Sequence, residues 1–433
     1  MSSSITRDQI VTNEYSLRSI FEDAKDALAE KSAIERWLHI FWLLGPFVLL
    51  IERSPADVWL TLLSLAFVTR AIIRRDGNFL EVLWVRAGFT FWCVCLLSSG
   101  LSADPAYALG EAVAWLRFPL FAMASAFWLA RDKRLLYAML LSTALGLLAM
   151  CGILTAELLI EGQKGGRLTW PYGDHTPGNY IADVGMPAFV ICLAFAVGND
   201  NRLANKFGLI AIFTMVISVM TGERMSFLIR SCAGMLGALF WKPRWPRYLA
   251  LIFVELLAIS ALFLFHPSSA QRFITSFIET LPTNSNSGYH KVMSAGITAF
   301  EISPVLGIGV GNMRNLCSDI VLVDTATKCQ NHPHNFYIQM AAETGIVGLI
   351  IGSIFLFSIV WACFKASRQN KNNIVAATLW VVPLLQFMPL TSSHDFFGQW
   401  NNIFMWSAVA IALSSVNLSE DLHQHQSVRP TGA

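Results

Sequence analysis

Long apolar runs constrain this chain more than any other feature. A hydrocarbon core about 30 Å thick is crossed by roughly 20 residues of α-helix, fewer where polar caps are admitted, and about twelve such runs are present. They lie near 37–51, 58–73, 82–101, 107–130, 135–160, 179–198, 206–221, 225–241, 247–265, 345–364, 374–391 and 397–415. Only 14% of the 433 residues are charged and 55% are hydrophobic, far from the roughly 25% charged of soluble domains. The expected class is an all-α polytopic membrane protein.

Loop charge sets the orientation, because cytoplasmic loops are enriched in lysine and arginine. With the amino terminus inside, 20 of the 31 lysines and arginines fall in cytoplasmic segments, 8 in outer loops and 3 (Arg86, Arg117 and Arg230) inside spans. A miscounted span would reverse every later loop, so the regular alternation bears on count and orientation together. Both termini are expected in the cytoplasm. The chain then divides into a polar arm over 1–36, spans one to nine over 37–265, an outer segment over 266–344, spans ten to twelve over 345–415 and a tail over 416–433. The arm lacks the apolar core of a signal peptide before Trp37 and reads as a surface helix with Ile10, Ile20, Phe21, Ala24 and Leu28 on one side. A net charge of +2 gives a nucleic-acid partner no electrostatic support.

The outer segment shows helical pattern over about 270–281 and 289–302, then a loop with Cys317 and Cys329. The other six cysteines fall in predicted spans, whereas these two share the oxidising side, and a disulfide between them is expected. On the chain-entropy model it contributes about 3 kcal/mol. No Cys-x-x-Cys or His-x-x-x-His spacing offers a metal site, and neither metal nor cofactor is expected.

Polar residues that are hard to explain otherwise collect on the outer side. Arg167 lies in GRLTWPYGDHTPGNYIA, near Asp174 and His175. Arg224 lies in TGERMSF, a connection of about four residues, where positive-inside statistics disfavour an arginine. For both, binding of an anion at the membrane surface competes with a surface charge or snorkelling anchor. Arg117, in AVAWLRFPL, is costly in lipid and is expected to face the bundle interior, by pairing with Glu111, by a structural hydrogen bond or by touching substrate. Arg230 is equally open. Lys291 opens an amphipathic helix that ends before Pro304 and a turn with Gly307, Gly309 and Gly311. That run follows no strand, so it is no dinucleotide fingerprint; close packing of its backbone against the bilayer face is expected. Asp395, beside His394 in TSSHDFFGQW, is either a helix N-cap or a group that orients a catalytic residue.

The stretch NHPHNFYIQMAAETGIVG, 331–348, fixes an imidazole at the mouth of a membrane helix. Pro333 restricts the backbone between His332 and His334, and a helical run leads straight into an apolar span. His334 is the candidate base and His332 its support; a satisfied structural histidine is the alternative. Guanidinium forks suit phosphate and pyrophosphate, and a neutral imidazole suits a proton from an attacking hydroxyl. If the donor were a sugar on a polyprenyl pyrophosphate, the leaving group would already be charged. Cations could then replace a general acid, and attack would need one base, with inversion. There is no Asp-x-Asp and no P-loop, so a metal is not demanded and energy would come from the donor bond.

The pattern His334, Asn335, nine residues, Gly345, two residues, Gly348 resembles the signature of the bacterial O-antigen ligases. Their superfamily also holds O-antigen polymerases and protein O-oligosaccharyltransferases. The chain is similar to them in its twelve-span layout, the long outer segment after span nine, the arginine after span seven and the PVLGIGVGNM turn. The resemblance implies a helical glycosyltransferase of the GT-C type in the bacterial inner membrane, with its active site facing the periplasm. It implies transfer of O-polysaccharide from undecaprenyl pyrophosphate to a sugar of the lipid A core, completing lipopolysaccharide. Carried over by motif, His334 is the base, Arg224 and Arg167 bind pyrophosphate and Asp395 is auxiliary. Many relatives have an arginine at the start of the helix before the PxxGxG turn; this chain has Tyr289, His290 and Lys291, and Lys291 stands as the substitute. His332 and Arg117 complete the expected substrate contacts. Polymerase and protein glycosylation stay open beside the ligase. A transporter or flippase is the reading from another class, but transporters place charges near the midplane and often repeat their halves, whereas here the charges sit at one face.

Overall fold

The computed structural model describes residues 17–199, 201–241, 243–275, 279–281, 283–323, 331–390 and 392–419. Among the described residues the chain is all-helical, without a β-strand. Seven helices are long and apolar enough to cross a membrane: Arg53–Arg74, Leu83–Gly100, Pro105–Leu129, Lys133–Ile160, Arg202–Met220, Trp245–Phe265 and Phe336–Gln369. Thr176–Ala182 and Met186–Gly198 pass the same test together, as a pair bent by 49°. The protein is thus a multi-pass membrane protein. The other apolar runs form shorter helices, among them Arg224–Phe240 and Trp400–Ser414, or broken pairs such as Ile374–Thr378 with Val381–Gln386.

Prolines account for the breaks. A proline has no N–H for the carbonyl four residues back, and its ring crowds that carbonyl. Pro46, Pro119, Pro187 and Pro383 each sit just after an interruption, at Leu44, Leu116, 183–185 and 379–380 respectively. At Pro187 the chain continues as a second helix at 49° to the first. Trp400–Ser414 runs through the centre and is buried along almost its whole length. Around its start Trp115 meets Phe396 at 5.5 Å and Phe91 at 5.4 Å, and Trp115 Nε1 donates to the Phe396 carbonyl at 3.0 Å. These rings floor the region described below.

The Phe336–Gln369 helix is also broken, at Gly345, where φ is +67°. The peptide groups freed there are bonded by the glycine turn that precedes it. Ile308 N donates to Ala342 O at 3.0 Å, Gly309 N to Glu343 O at 3.0 Å, and Ile346 N to Pro304 O at 2.9 Å. A Cβ at Gly345 would strike the Val305 carbonyl, and one at Gly307 would strike the Glu343 backbone. The glycine turn therefore packs against a protein helix and not, as its composition suggested, against the bilayer face. Unbonded peptide groups are costly away from water, and this pairing removes them.

At the amino-terminal side, Leu17–Ala29 is a helix, but Ala24 and Ala27 face inward while Phe21 is 69% exposed. Ile10, the rest of the arm before residue 17 and the tail beyond 419 lie outside the described residues. Cys317 is disulfide-bonded; Cys329, its expected partner, also lies outside them.

Gly345→Ala should destabilise the protein by about 2 kcal/mol or more, because it combines a left-handed backbone with a collision. Gly110→Ala, in a helix with open space around it, should be neutral or slightly stabilising. Thermal unfolding in detergent measures both, and equal melting temperatures would contradict the account.

Candidate functional site

One wall of the site is built by three connections that bond to each other. The carboxylate of the buried Glu157, at the end of Lys133–Ile160, accepts from Thr169 N at 2.8 Å and Trp170 N at 2.8 Å and from Thr169 Oγ1 at 3.0 Å. That fixes the loop carrying Arg167. Leu168 N donates to Met220 O at 3.1 Å, and Arg272 Nε donates to Gly222 O at 2.7 Å. Gly222, at φ +72°, leaves no room for a Cβ between Gly166, Arg167 and Arg272. The turn before Arg224–Phe240 is thereby clamped, and Arg167 Nη1 reaches Glu223 Oε1 at 2.6 Å, with Arg272 Nη2 3.9 Å from the same oxygen. Arg224 acts on the charge of both Glu223 and Arg272. Two guanidiniums thus face one carboxylate, and a third, Arg224, is near enough to act on its charge.

The facing wall is the histidine loop. His334 has φ +54°, a left-handed conformation that costs about 1 kcal/mol or more for a residue with a Cβ. The surroundings impose it. Ser393 N donates to His334 O at 2.9 Å. Asn335 Oδ1 accepts from Tyr337 N at 3.0 Å and Ile338 N at 3.2 Å, capping the helix, while its Nδ2 donates to Pro389 O at 2.7 Å. Gly296 lets the Gly288–Ile302 helix approach Pro333 and Ile338 closely. The rings of His332 and His334 stand 4.2 Å apart, and Tyr289 lies 5.4 Å from His334. His334 Nδ1 is 3.3 Å from the Ser393 carbonyl. A carbonyl only accepts, so Nδ1 carries the proton and Nε2 presents the lone pair.

A cavity of ≈ 290 Å³ joins the two walls. Arg167, Glu223, Tyr289, His332, His334 and His394 are among its lining. A second cavity of ≈ 450 Å³ adjoins it and shares His175, His332 and Asn401 with it. Burial lowers His334 from its ordinary value and lowers His332 further, helped by the nearby His334; burial takes His394 to about 4. All three imidazoles are neutral at pH 7. Burial raises Glu223, against the pull of Arg167, His175, Arg272 and Arg224. Among the described residues no group of three or more His, Cys, Asp or Glu is arranged to hold a metal ion.

The expected residues separate. Arg167, His332 and His334 share the first cavity; Arg224, next to Glu223 in the chain, is in the lining of neither cavity. Lys291 is half-buried on the Gly288–Ile302 helix and lines neither cavity, whereas Tyr289 does. Arg117 does not pair with Glu111: its guanidinium makes the structural hydrogen bonds that were the alternative, to Asp57 Oδ1 at 2.9 Å and Gln399 Oε1 at 3.1 Å. Arg230 is fully buried, bonded to Thr214 and 4.1 Å from the Phe189 ring centre. Asp395 does not cap the Trp400–Ser414 helix. Its carboxylate accepts from Arg314 Nη2 at 2.7 Å, from Gln339 Nε2 at 2.6 Å and from the N–H groups of Phe397 and Gly398. Through Gln339 it reaches the fully buried Glu343, which accepts from Gly311 N at 2.7 Å. Glu223, Arg272, Arg314, Gln339 and Glu343 were not singled out in the sequence. The juxtaposed Glu223 and Arg224 in a tight turn was the one available signal.

Residues 209–353 match the family model described as O-antigen ligase. A chain from a structure described as "Structural coordination of polymerization and crosslinking by a peptidoglycan synthase complex" is similar at 14% identity and a TM-score of 0.42, over 80% of this chain and 98% of that one. No curated protein matches the sequence significantly.

The buried imidazoles make folding sensitive to acid. Below the ordinary histidine value of 6.5, the unfolded chain takes up protons that the folded chain refuses, so stability falls with pH. For His394, taken to about 4, the loss at pH 5 is about 2 kcal/mol. Unfolding measured from pH 7.5 to pH 5 should show a falling midpoint, with a shallower fall in His394→Asn. Identical slopes in the two proteins would contradict the burial described.

Proposed function

We propose, from the match of residues 209–353 to the O-antigen ligase family model, that the chain is a member of that superfamily and transfers O-polysaccharide from undecaprenyl pyrophosphate to a sugar hydroxyl of lipid A-core. In this reading the protein is a twelve-span GT-C glycosyltransferase of the bacterial inner membrane, and both cavities open toward the periplasm. The single observation that carries it is the meeting of His334 and Arg167 in one cavity. The carrier diphosphate takes the position now held by the Glu223 carboxylate, among Arg167, Arg224 and Arg272. Such forks neutralise a diphosphate leaving group in place.

The acceptor hydroxyl gives its proton to His334 Nε2 as its oxygen attacks the anomeric carbon. The carbon–oxygen bond to the diphosphate breaks, and its electron pair leaves on the phosphate oxygen. One displacement inverts the anomeric centre. His332 supports His334, while Asp395, held by Arg314 and Gln339, positions the loop that bonds His334. An O-antigen polymerase would use the same groups with a repeat unit as acceptor.

Lipopolysaccharide gels from a knockout complemented with variants test this. His334→Ala should lower capping by a factor of about 100 or more while the protein still folds. Arg224→Ala should be more severe than Arg224→Lys, because lysine keeps the charge but loses the fork. Normal capping with His334→Ala would reject the base, and unaltered polymer attachment in the knockout itself would reject the ligase. Activity in vitro should fall with acid through a midpoint below the ordinary 6.5, since the base must be neutral.

A further inference from the structure

The cavity beyond His332 differs in its chemistry from the one that holds Arg167. Its three aspartates are each matched by a guanidinium: Arg53 with Asp174 at 3.2 Å, Arg117 with Asp57 at 2.9 Å and Arg314 with Asp395 at 2.7 Å. Arg117, behind the wall, also holds Gln399. The space is therefore dense in fixed donors and acceptors yet close to neutral. Trp400 supplies an aromatic face. Its Nε1 donates to Thr176 Oγ1 at 3.3 Å, its ring lies 4.6 Å from Phe404, and Arg53 stands 5.8 Å from its centre.

An anion gains little from ion pairs that are already balanced, and an apolar chain would leave those groups without water or partners. A neutral, polyhydroxylated ring fits both features. Its hydroxyls donate to the carboxylates and accept from guanidinium and amide N–H groups, and its C–H face packs on the indole. We infer that this cavity is a carbohydrate subsite, with Trp400 as its platform and Gln399 at its rim. The inference rests on the glycosyl transfer proposed above. With the diphosphate at the Arg167 cluster, an inverting attack brings the incoming hydroxyl from the far side of the anomeric carbon. His332 walls both cavities, and its buried Nε2 has no hydrogen-bond partner among the described residues. The sugar held here is accordingly the acceptor's, and the other source is the donor's own glycan.

Saturation-transfer NMR on the full-length protein in nanodiscs separates the two, with delipidated lipid A-core oligosaccharide and carrier-free O-antigen repeat-unit oligosaccharide as probes. Trp400→Ala should weaken binding of the core oligosaccharide about tenfold, the scale of a buried aromatic anchor, and leave binding of undecaprenyl pyrophosphate unchanged. Gln399→Ala truncates an exposed side chain, keeps the test decisive if Trp400→Ala does not fold, and should weaken the same probe severalfold. Weakening of the repeat-unit probe instead keeps the subsite and assigns it to the donor glycan. The subsite is overturned if wild type binds neither glycan, or if both variants bind them as wild type does. Transfer is measured in parallel: a wild type that binds glycan without transferring it contradicts the function alone, and unaltered KM values for both glycans in active variants contradict the subsite alone.

Discussion

A broken helix inside a membrane protein has to find partners for its freed peptide groups, because lipid offers none. The Phe336–Gln369 helix is broken at Gly345, and the turn over residues 303–309 bonds the groups on both sides of the break. Glycine is needed on both partners, since the backbones meet where a Cβ would stand. This one pairing fixes much of the site. It holds the start of the helix, with Asn335 as its cap and His334 before it, and it aims Gln339 and Glu343 at the Gly311 N–H and at Asp395. The loop of residues 392–398 is in turn bonded to His334. The strained backbone of His334 persists because several elements hold it at once.

Charge then divides the region. Around Glu223 there are three guanidiniums and one carboxylate, an excess of cation suited to a diphosphate. Across His332 each carboxylate has its own guanidinium, and an indole replaces the surplus charge. The histidines between them are kept neutral by burial. A cationic cluster beside one cavity and balanced charge around the other, with neutral imidazoles between them, would suit a transfer between a charged donor and an uncharged sugar hydroxyl.

Much of this was legible in the sequence. Apolar run length gave the all-helical membrane class, though seven helices and one bent pair pass as spans among the described residues, and the spacing of His334, Asn335, Gly345 and Gly348 marked a stretch that borders the candidate site. The roles inside that pattern were not legible. Asn335 is a cap and Gly345 a break, which depend on a turn some forty residues earlier. For Arg117 a pair with Glu111, a structural hydrogen bond and a substrate contact were all open; its partner is Asp57, sixty residues earlier, which only the tertiary fold brings to it. Asp57, Asp174 and Asp395 are scattered along the chain, and the fold gathers them around one cavity. Arg314 drew no attention because its partners, Tyr107 and Asp395, are brought to it only by tertiary packing. Run length also says nothing of how a helix bends. Pro46, Pro119, Pro187 and Pro383 were visible, and each sits just after an interruption, but only the fold shows the angle at which a chain continues past one.

The central claim is that the cationic cluster and the histidine act on one molecule. A structure of the protein with undecaprenyl pyrophosphate bound tests it most directly. The diphosphate should lie against Arg167, Arg224 and Arg272, with Glu223 displaced and the terminal phosphate, whose oxygen carries the sugar in the full donor, on the side toward His334. A diphosphate bound elsewhere, with the Arg167 and Glu223 pair intact, would contradict it.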